Sequence, residues 1–277
     1  MKYNKKTLLA IALICLTLSS CGKPVSEELP TMSVQSVLET TEEAIPVEAT
    51  VSETTSQTTA SETENTSYSV TDPSQYPTDY DKEYFSQDLF IGDSITTGFA
   101  GYGFIPEKNV FAKVGLNPVS ILTTPITTSD GDILIDAEIA NTLPKRAYIM
   151  LGSNGIEWLE NDAMIEDLNK LVKIINDKSP DTKIVILSVT PVTKEFEEKS
   201  KAENCMQKIL DYNKALNDFC SKNNLMYIDI TTMLMNEDGY FSDYFAESDG
   251  MHFKGDTYKV VLSYIQKTLE ASEENNG

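Results

Sequence analysis

Short apolar runs alternate with amphipathic helical patterns from about residue 80 onward, and this alternation constrains the fold most strongly. Five runs have the length and composition of buried strands: Asp88–Ile91, Val110–Val114, Ala147–Leu151, Ile184–Val189 and Met226–Ile230. Three longer segments repeat apolar residues at helical spacing: Ala163–Asp177, Ala202–Asn223 and Thr257–Ala271. Because strands joined by helices pair in parallel and carry helices on both faces, the pattern predicts a three-layer α/β sandwich.

Three small or polar residues, Ser94, Gly115 and Asn154, each lie just past a predicted strand. In a parallel α/β sheet, sites form where the carboxyl ends of the strands meet. We therefore expect these residues to lie close together at one edge of the sheet. Segment 123–143 is less regular, with turn residues followed by a short helix predicted at Asp136–Leu143.

The N-terminus has the features of a processing signal. Three lysines precede an apolar run from Leu8 to Leu18, which is too short to span a bilayer comfortably. The run ends in Leu18-Ser19-Ser20-Cys21, which resembles a bacterial lipobox, whose cysteine is diacylated and becomes N-terminal after cleavage. The alternative is an ordinary secretory signal with an incidental cysteine. We predict a signal peptide over residues 1–20 and a lipid on Cys21, which would anchor the protein to the outer face of the bacterial cytoplasmic membrane.

Residues 21–80 differ in composition from the rest of the chain. Thr, Ser and Glu dominate and no apolar periodicity is sustained, so this segment is predicted to be a disordered tether. The formal net charge of the whole chain is −21. Because no basic stripe is available to neutralise phosphates, a nucleic-acid partner is not expected, and the lipid rather than surface charge would provide membrane attachment.

Two cysteines fall within the predicted domain, and both lie in the predicted helix Ala202–Asn223. Cys205 and Cys220 are fifteen positions apart, which is about 22 Å along a helix. A disulfide requires Cα atoms within about 7 Å, so the two cannot bridge within that helix and are predicted to be buried free thiols.

The sequence contains one histidine, His252, three residues after Asp249. A serine after a strand and a histidine with a nearby acid are the parts of an acyl-transfer site. Taken singly, each motif has a structural interpretation: Asp93 as a helix cap, and Gly115, Asn154 and Asp249 as turn residues. Four motifs occur in order along the predicted domain: Gly92-Asp93-Ser94-Ile95, Gly115, Gly152-Ser153-Asn154 and Asp249-Gly250-Met251-His252.

In this order the motifs resemble the four sequence blocks of the SGNH hydrolases, also called the GDSL esterase/lipase family. The resemblance covers about Asp81 to Ala271 of the predicted hydrolase domain, residues 81–277. It implies a three-layer α/β/α sandwich with a mainly parallel, flavodoxin-like sheet. It also implies a catalytic Ser94, Asp249 and His252. Ser94 would be the nucleophile, His252 its general base and Asp249 the group that fixes the imidazole tautomer.

The resemblance further implies an oxyanion hole. Its donors would be the backbone N–H groups of Ser94 and Gly115 and the side-chain amide of Asn154. Asp93 is interpreted as shaping the turn that carries the serine. No metal or other cofactor is expected, because the one histidine has no partners at metal-ligand spacing, and the acidic segments Asp130–Asp132 and Asn236–Gly239 are interpreted as turns.

Gly155 differs from the aspartate that many family members carry after this asparagine. The surrounding blocks look closer to the extracellular branch that includes peptidoglycan O-acetyltransferase domains. The predicted function is therefore that of a lipid-anchored esterase that removes small acyl groups from a glycan or other ester, and acetyl is the expected acyl group. The alternatives are an O-acyltransferase with the same triad and a non-enzymatic glycan-binding lipoprotein.

Aromatic and apolar side chains near the motifs have two interpretations. They are Ile156, Trp158 and Leu159 after the asparagine, and Tyr240, Phe241, Tyr244 and Phe245 before the histidine segment. They either pack in the core or line a pocket for an acyl group or a sugar ring. The sequence leaves this choice open.

Overall fold

The computed structural model describes residues 72–129, 131–200 and 204–274. The predicted signal peptide, the lipid site at Cys21 and residues 21–71 of the predicted tether lie outside these residues, as does Asp130 in one predicted turn. Within the described residues, no helix combines the length and apolar composition needed to cross a membrane.

Seven strands occur in the described residues: β1 (Leu89–Gly92), β2 (Val110–Ala112), β3 (Ile126–Thr128), β4 (Gly131–Ile133), β5 (Arg146–Met150), β6 (Lys183–Leu187) and β7 (Met226–Ile228). Five of them form one parallel sheet in the order β2-β1-β5-β6-β7. Numbered within that sheet alone, the order is 2-1-3-4-5, which is the flavodoxin-like arrangement. The predicted parallel α/β fold is thus confirmed.

In the same part of the chain, seven α-helices connect and cover the strands: α1 (Ser94–Gly101), α2 (Ile135–Thr142), α3 (Asn161–Lys178), α4 (Lys194–Lys199), α5 (Cys205–Asn223), α6 (Thr231–Leu234) and α7 (Gly255–Glu274). The three longest, α3, α5 and α7, lie where helical periodicity predicts them. Cys205 and Cys220 both belong to α5 and are buried free thiols, as expected from their spacing.

Two hydrophobic cores flank the sheet because successive strand residues face opposite sides. On one side, Leu89 and Ile91 of β1 pack with α2, α3 and α5. On the other side, Phe90 packs with α1 and α7. The result is the predicted three-layer sandwich, with the sheet in the middle.

The structure contains the short helices α4 and α6, which the sequence patterns did not predict, and it differs from the sequence-based expectations in two further features. The segment before α2 contains the antiparallel hairpin β3–β4. Each of its strands has only three residues, which is too short to show an alternating pattern in the sequence. Residues 72–80, assigned by composition to the tether, include Tyr76, which is buried and contacts Phe245 edge-on with ring centroids 5.7 Å apart. Tyr80 also packs against this core, with its ring centroid 6.2 Å from that of Phe85. Aromatic contacts therefore extend the packed domain to residues that precede the predicted boundary.

A buried ion pair lies near the amino ends of β1 and β5. Arg146 Nη2 is 2.9 Å from Asp88 Oδ2, and both side chains are almost fully buried. The Arg146 Nε–H and the Tyr148 hydroxyl also donate to the Asp88 carboxylate, at 2.9 and 3.2 Å. This cluster joins the two central strands at the edge of the sheet opposite the carboxyl ends.

Candidate active site

The change of direction in strand order places β1 beside both β2 and β5. Open α/β sheets bind ligands at such a switch point, outside the carboxyl ends of the strands. Ser94 follows β1, Gly115 follows β2 and Asn154 follows β5. The Asn154 side-chain amide is 3.1 Å from the backbone oxygen of Leu116, which joins two of these loops directly. The predicted convergence of the three segments is present.

Ser94, His252 and Asp249 form a continuous chain of hydrogen bonds. Ser94 Oγ is 2.9 Å from His252 Nε2, and His252 Nδ1 is 2.7 Å from Asp249 Oδ2. Because a carboxylate accepts hydrogen bonds only, Nδ1 carries the proton and Nε2 is left to accept from the serine hydroxyl. This tautomer is the one that allows an imidazole to act as a base towards Ser94.

The loop that carries His252 is shaped by the same carboxylate. Asp249 Oδ1 accepts the backbone N–H groups of Met251 and His252 at 2.9 and 3.0 Å. Gly250, between Asp249 and Met251, has φ +79°, and a Cβ at this position would approach Thr193 Oγ1 to 2.3 Å. The three-residue spacing of acid and base is therefore held by an aspartate-centred turn that only glycine fits at its second position.

The hydrogen bond between the two side chains shifts both pKa values. The His252 imidazole holds the pKa of the Asp249 carboxyl well below its usual range. The hydrogen bond to Asp249 raises the pKa of His252 above its ordinary 6.5, against the opposing effect of partial burial. The pair favours an ionised acid beside an imidazole with increased basicity.

Asp93 is the N-cap of α1, and it does more than shape the serine turn. Its Oδ1 accepts the Ile95 N–H at 3.0 Å, and its Oδ2 accepts the Asn154 amide at 3.1 Å. Burial raises the pKa of this carboxyl to about 6. The contact with Asn154, 61 residues away, could not be inferred from sequence, because Asp93 already has a sufficient local role as a cap.

The three predicted oxyanion donors differ in their present partners. The N–H groups of Ser94 and Gly115 have no acceptor within the described residues. Gly115 occupies a turn at φ +85° that the Leu116 N–H closes onto the Lys113 carbonyl at 3.2 Å. The Asn154 amide, in contrast, donates to both Asp93 and Leu116, so it would have to share one of these hydrogens with a substrate oxygen.

The aromatic residues near the motifs divide between core and surface. Phe241 and Phe245 are buried in the core on the α7 side of the sheet. Trp158 and Tyr244 are 67% and 53% exposed. Core packing is therefore the correct interpretation for the phenylalanines, and the tryptophan and Tyr244 remain available to a ligand.

The two cysteines of the described residues are buried and lack a base. Burial raises the pKa of the Cys205 thiol to about 11 and that of Cys220 to about 12, which keeps both protonated at neutral pH. Across the described residues, no group of three or more His, Cys, Asp or Glu side chains is arranged to hold a metal ion. Ser94, whose Oγ lies 2.9 Å from His252 Nε2, is therefore the candidate nucleophile of the described residues.

Solved structures share this fold. A GDSL-like lipase from Bacteroides thetaiotaomicron is 15% identical, with a TM-score of 0.54 over 72% of this chain and 94% of that one. A protein from Bacteroides fragilis named for an expected acylhydrolase activity is 16% identical, with a TM-score of 0.54 over 72% of this chain and 93% of that one. At these identities the likeness concerns the fold. No curated protein sequence matches the chain.

The family is established by the sequence itself. The profile of the GDSL-like lipase/acylhydrolase family matches residues 90–260, which is more than half of the chain. That match includes the serine turn, the asparagine loop and the Asp249–His252 segment. The chain belongs to the GDSL-like lipase/acylhydrolase family and is a carboxylic ester hydrolase of the SGNH type.

Proposed function

We propose that the protein is a lipid-anchored extracytoplasmic serine esterase that removes acetyl groups from a glycan. The observation that carries the catalytic part is the chain of hydrogen bonds from Ser94 through His252 to Asp249, at 2.9 and 2.7 Å. Nucleophile, base and orienting acid are within the distances that such chemistry requires.

In the proposed reaction, the Ser94 hydroxyl gives its proton to His252 Nε2 as Oγ bonds to the ester carbonyl carbon. The tetrahedral intermediate then collapses, the C–O bond to the alcohol breaks, and the alcohol takes the proton from His252. Water attacks the acyl group on Ser94 and gives a proton to His252. That proton returns to Ser94 Oγ as the carboxylic acid leaves.

Asp249 stabilises the imidazolium that forms twice in this cycle. Its carboxylate remains ionised because the hydrogen bond from His252 lowers its pKa. The negative charge on the substrate oxygen would be met by the N–H groups of Ser94 and Gly115, which have no other acceptor in the described chain, and by the Asn154 amide.

The choice of acetyl among acyl groups rests on the motif blocks, in which Gly155 follows Asn154. These blocks resemble the extracellular branch that includes peptidoglycan O-acetyltransferase domains. The lipobox-like segment ending at Cys21 supports the extracytoplasmic, membrane-anchored location.

The catalytic proposal is tested with a fluorophosphonate probe and an aryl acetate. Wild type should label and hydrolyse, and Ser94→Ala should do neither. Ser86→Ala is the matched control, because Ser86 precedes β1 and so lies at the opposite end of that strand from Ser94. Labelling that persists in Ser94→Ala, or is lost equally in Ser86→Ala, would exclude the assigned nucleophile.

Two further measurements test whether the acyl-enzyme is hydrolysed or transfers its acyl group, and whether the protein is attached to a membrane. Hydrolysis and transfer share the acyl-enzyme, so adding a saccharide acceptor and looking for an acetylated product separates an esterase from an O-acyltransferase. Cys21→Ser should release the protein from membranes. Retention of this variant on membranes would contradict the lipid anchor.

A further inference from the structure

A wide groove lies beside the segment that carries Asp249 and His252, and its volume is about 680 Å³. It is lined by side chains from three parts of the chain: Tyr76, Thr78, Tyr102, Phe104, Tyr244 and Asp256. We call it the tyrosine groove. Its size is within the range of sites that hold a ligand larger than a simple ester.

Two tyrosine rings stand exposed in this groove. Tyr102 is 49% and Tyr244 is 53% exposed. Each ring is held by another aromatic ring: Tyr102 lies nearly parallel to Phe104 with centroids 6.1 Å apart, and Tyr244 meets Phe245 edge-on at 5.1 Å. Fixed rings with one apolar face and a hydroxyl offer a stacking surface at low entropic cost.

The described lining of the groove carries one cation and one anion, Lys254 and Asp256. The Lys254 ammonium donates to the backbone oxygens of Asp243 and Tyr244, and Asp256 accepts from Lys259 at 2.8 Å. The lining therefore has no net charge to attract a phosphate or a polyuronate. Its exposed rings and hydroxyl groups favour a neutral ligand with both apolar faces and hydroxyl groups, which is the chemistry of a pyranose chain.

The groove adjoins the candidate active site on one side. The Tyr102 hydroxyl is 3.5 Å from Glu247 Oε1, and the Glu247 N–H donates to the His252 carbonyl at 2.8 Å. Tyr102 follows α1, eight positions after Ser94, which corresponds to about 12 Å along the helix. A polymeric substrate could occupy both places at once, whereas a small ester could not.

We infer that the tyrosine groove binds a neutral oligosaccharide, the chain that carries the ester removed at Ser94. This inference rests on the proposed function for its biological sense, but binding in the groove does not require catalysis. Tyr102 and Tyr244 act as stacking residues that position the polymer. Removing these two tyrosine rings leaves the reacting groups at Ser94 unchanged.

Binding is measured with the full chain carrying Ser94→Ala, by calorimetry against hexamers of β-1,4-linked xylose and of N-acetylglucosamine. At least one hexamer should bind, and Tyr102→Ala and Tyr244→Ala should each weaken binding about tenfold. Tyr244→Phe should retain binding because the ring remains. Tyr240→Ala, a partly exposed tyrosine outside the groove, is the matched control and should bind normally.

Kinetics provide the second readout in the background with Ser94 intact. Tyr244→Ala should raise KM for an acetylated oligosaccharide and leave the hydrolysis of an aryl acetate unchanged. Absence of binding to both hexamers, or binding that the two tyrosine variants leave intact, would overturn the inference. If the wild-type protein does not hydrolyse an aryl acetate, the proposed function is refuted instead. The binding assay does not depend on turnover, so the two failures can be told apart.

Discussion

Replacing Asn154 with alanine removes a side chain that serves two purposes. Its amide donates to Asp93 Oδ2 and to the Leu116 carbonyl, each at 3.1 Å. In the proposed mechanism it is also one of three donors to the substrate oxygen. Loss of one such donor lowers kcat by about 10²–10³, which corresponds to about 3–4 kcal/mol of transition-state stabilisation. KM for a small ester should change little, because the charge on that oxygen develops in the transition state.

The same substitution has a calculable cost in stability. Two hydrogen bonds are lost, and each contributes about 0.5–1.5 kcal/mol net, so the free energy of unfolding should fall by about 1–3 kcal/mol. Asp93 keeps the Ile95 N–H as a donor, so its buried carboxylate is not left without a partner. The variant should therefore fold, and its loss of activity should exceed what its loss of stability explains.

Asn213 provides a matched control for this experiment. Its amide donates to the Val189 carbonyl and to Thr231 Oγ1, both at 2.9 Å, and its Oδ1 accepts the Val189 N–H at 2.7 Å. Neither Val189 nor Thr231 is hydrogen-bonded to Ser94 or His252. Both alanine variants are compared by urea unfolding and by steady-state kinetics with an aryl acetate. Asn213→Ala should lose stability with normal kcat. A kcat for Asn154→Ala within about tenfold of wild type, or equal losses of kcat in both variants, would refute the oxyanion assignment.

Three further outcomes follow from the structure. Because His252 must be neutral to act as a base and Asp249 raises its pKa, kcat/KM should rise with pH through a midpoint above 6.5, and Asp249→Asn should lower that midpoint; an acidic limb that does not move would contradict the pairing. Arg146→Met leaves a buried carboxylate without its cation and should reduce the free energy of unfolding by about 3–5 kcal/mol in urea titrations, with normal kcat in the folded fraction. Cys205 and Cys220 should react with a thiol reagent only after unfolding, and rapid labelling of the native protein would contradict their burial.

Much of the fold follows from local sequence patterns. A fully buried parallel strand is a short apolar run, and an amphipathic helix repeats its apolar residues every three or four positions, so neighbouring residues alone indicate each element. The five strands of the central sheet and the helices α3, α5 and α7 were located in this way. The observed ends differ from the predicted ones by up to three residues, because fraying and capping depend on contacts that the pattern does not contain.

The elements that the sequence did not indicate are those that depend on distant partners. The strands β3 and β4 have three residues each, too few to show a period. Tyr76 is buried because Phe245, about 170 positions later, packs against it. Composition placed Tyr76 in the tether, since the surrounding residues resemble that segment more than they resemble the domain.

The sequence by itself determined the family and the identities of the candidate catalytic residues through four short motifs. It determined the fold class through the alternation of strand and helix patterns. Only the tertiary structure decided how those residues meet. It brings Ser94 to His252 across 158 positions, and it gives the Asp93 carboxylate a second partner in Asn154. It also separates buried phenylalanines from exposed tyrosines and so forms the tyrosine groove. The physical reason is that motifs and periodicities are properties of neighbouring residues, whereas a distance between two side chains depends on how the whole core packs.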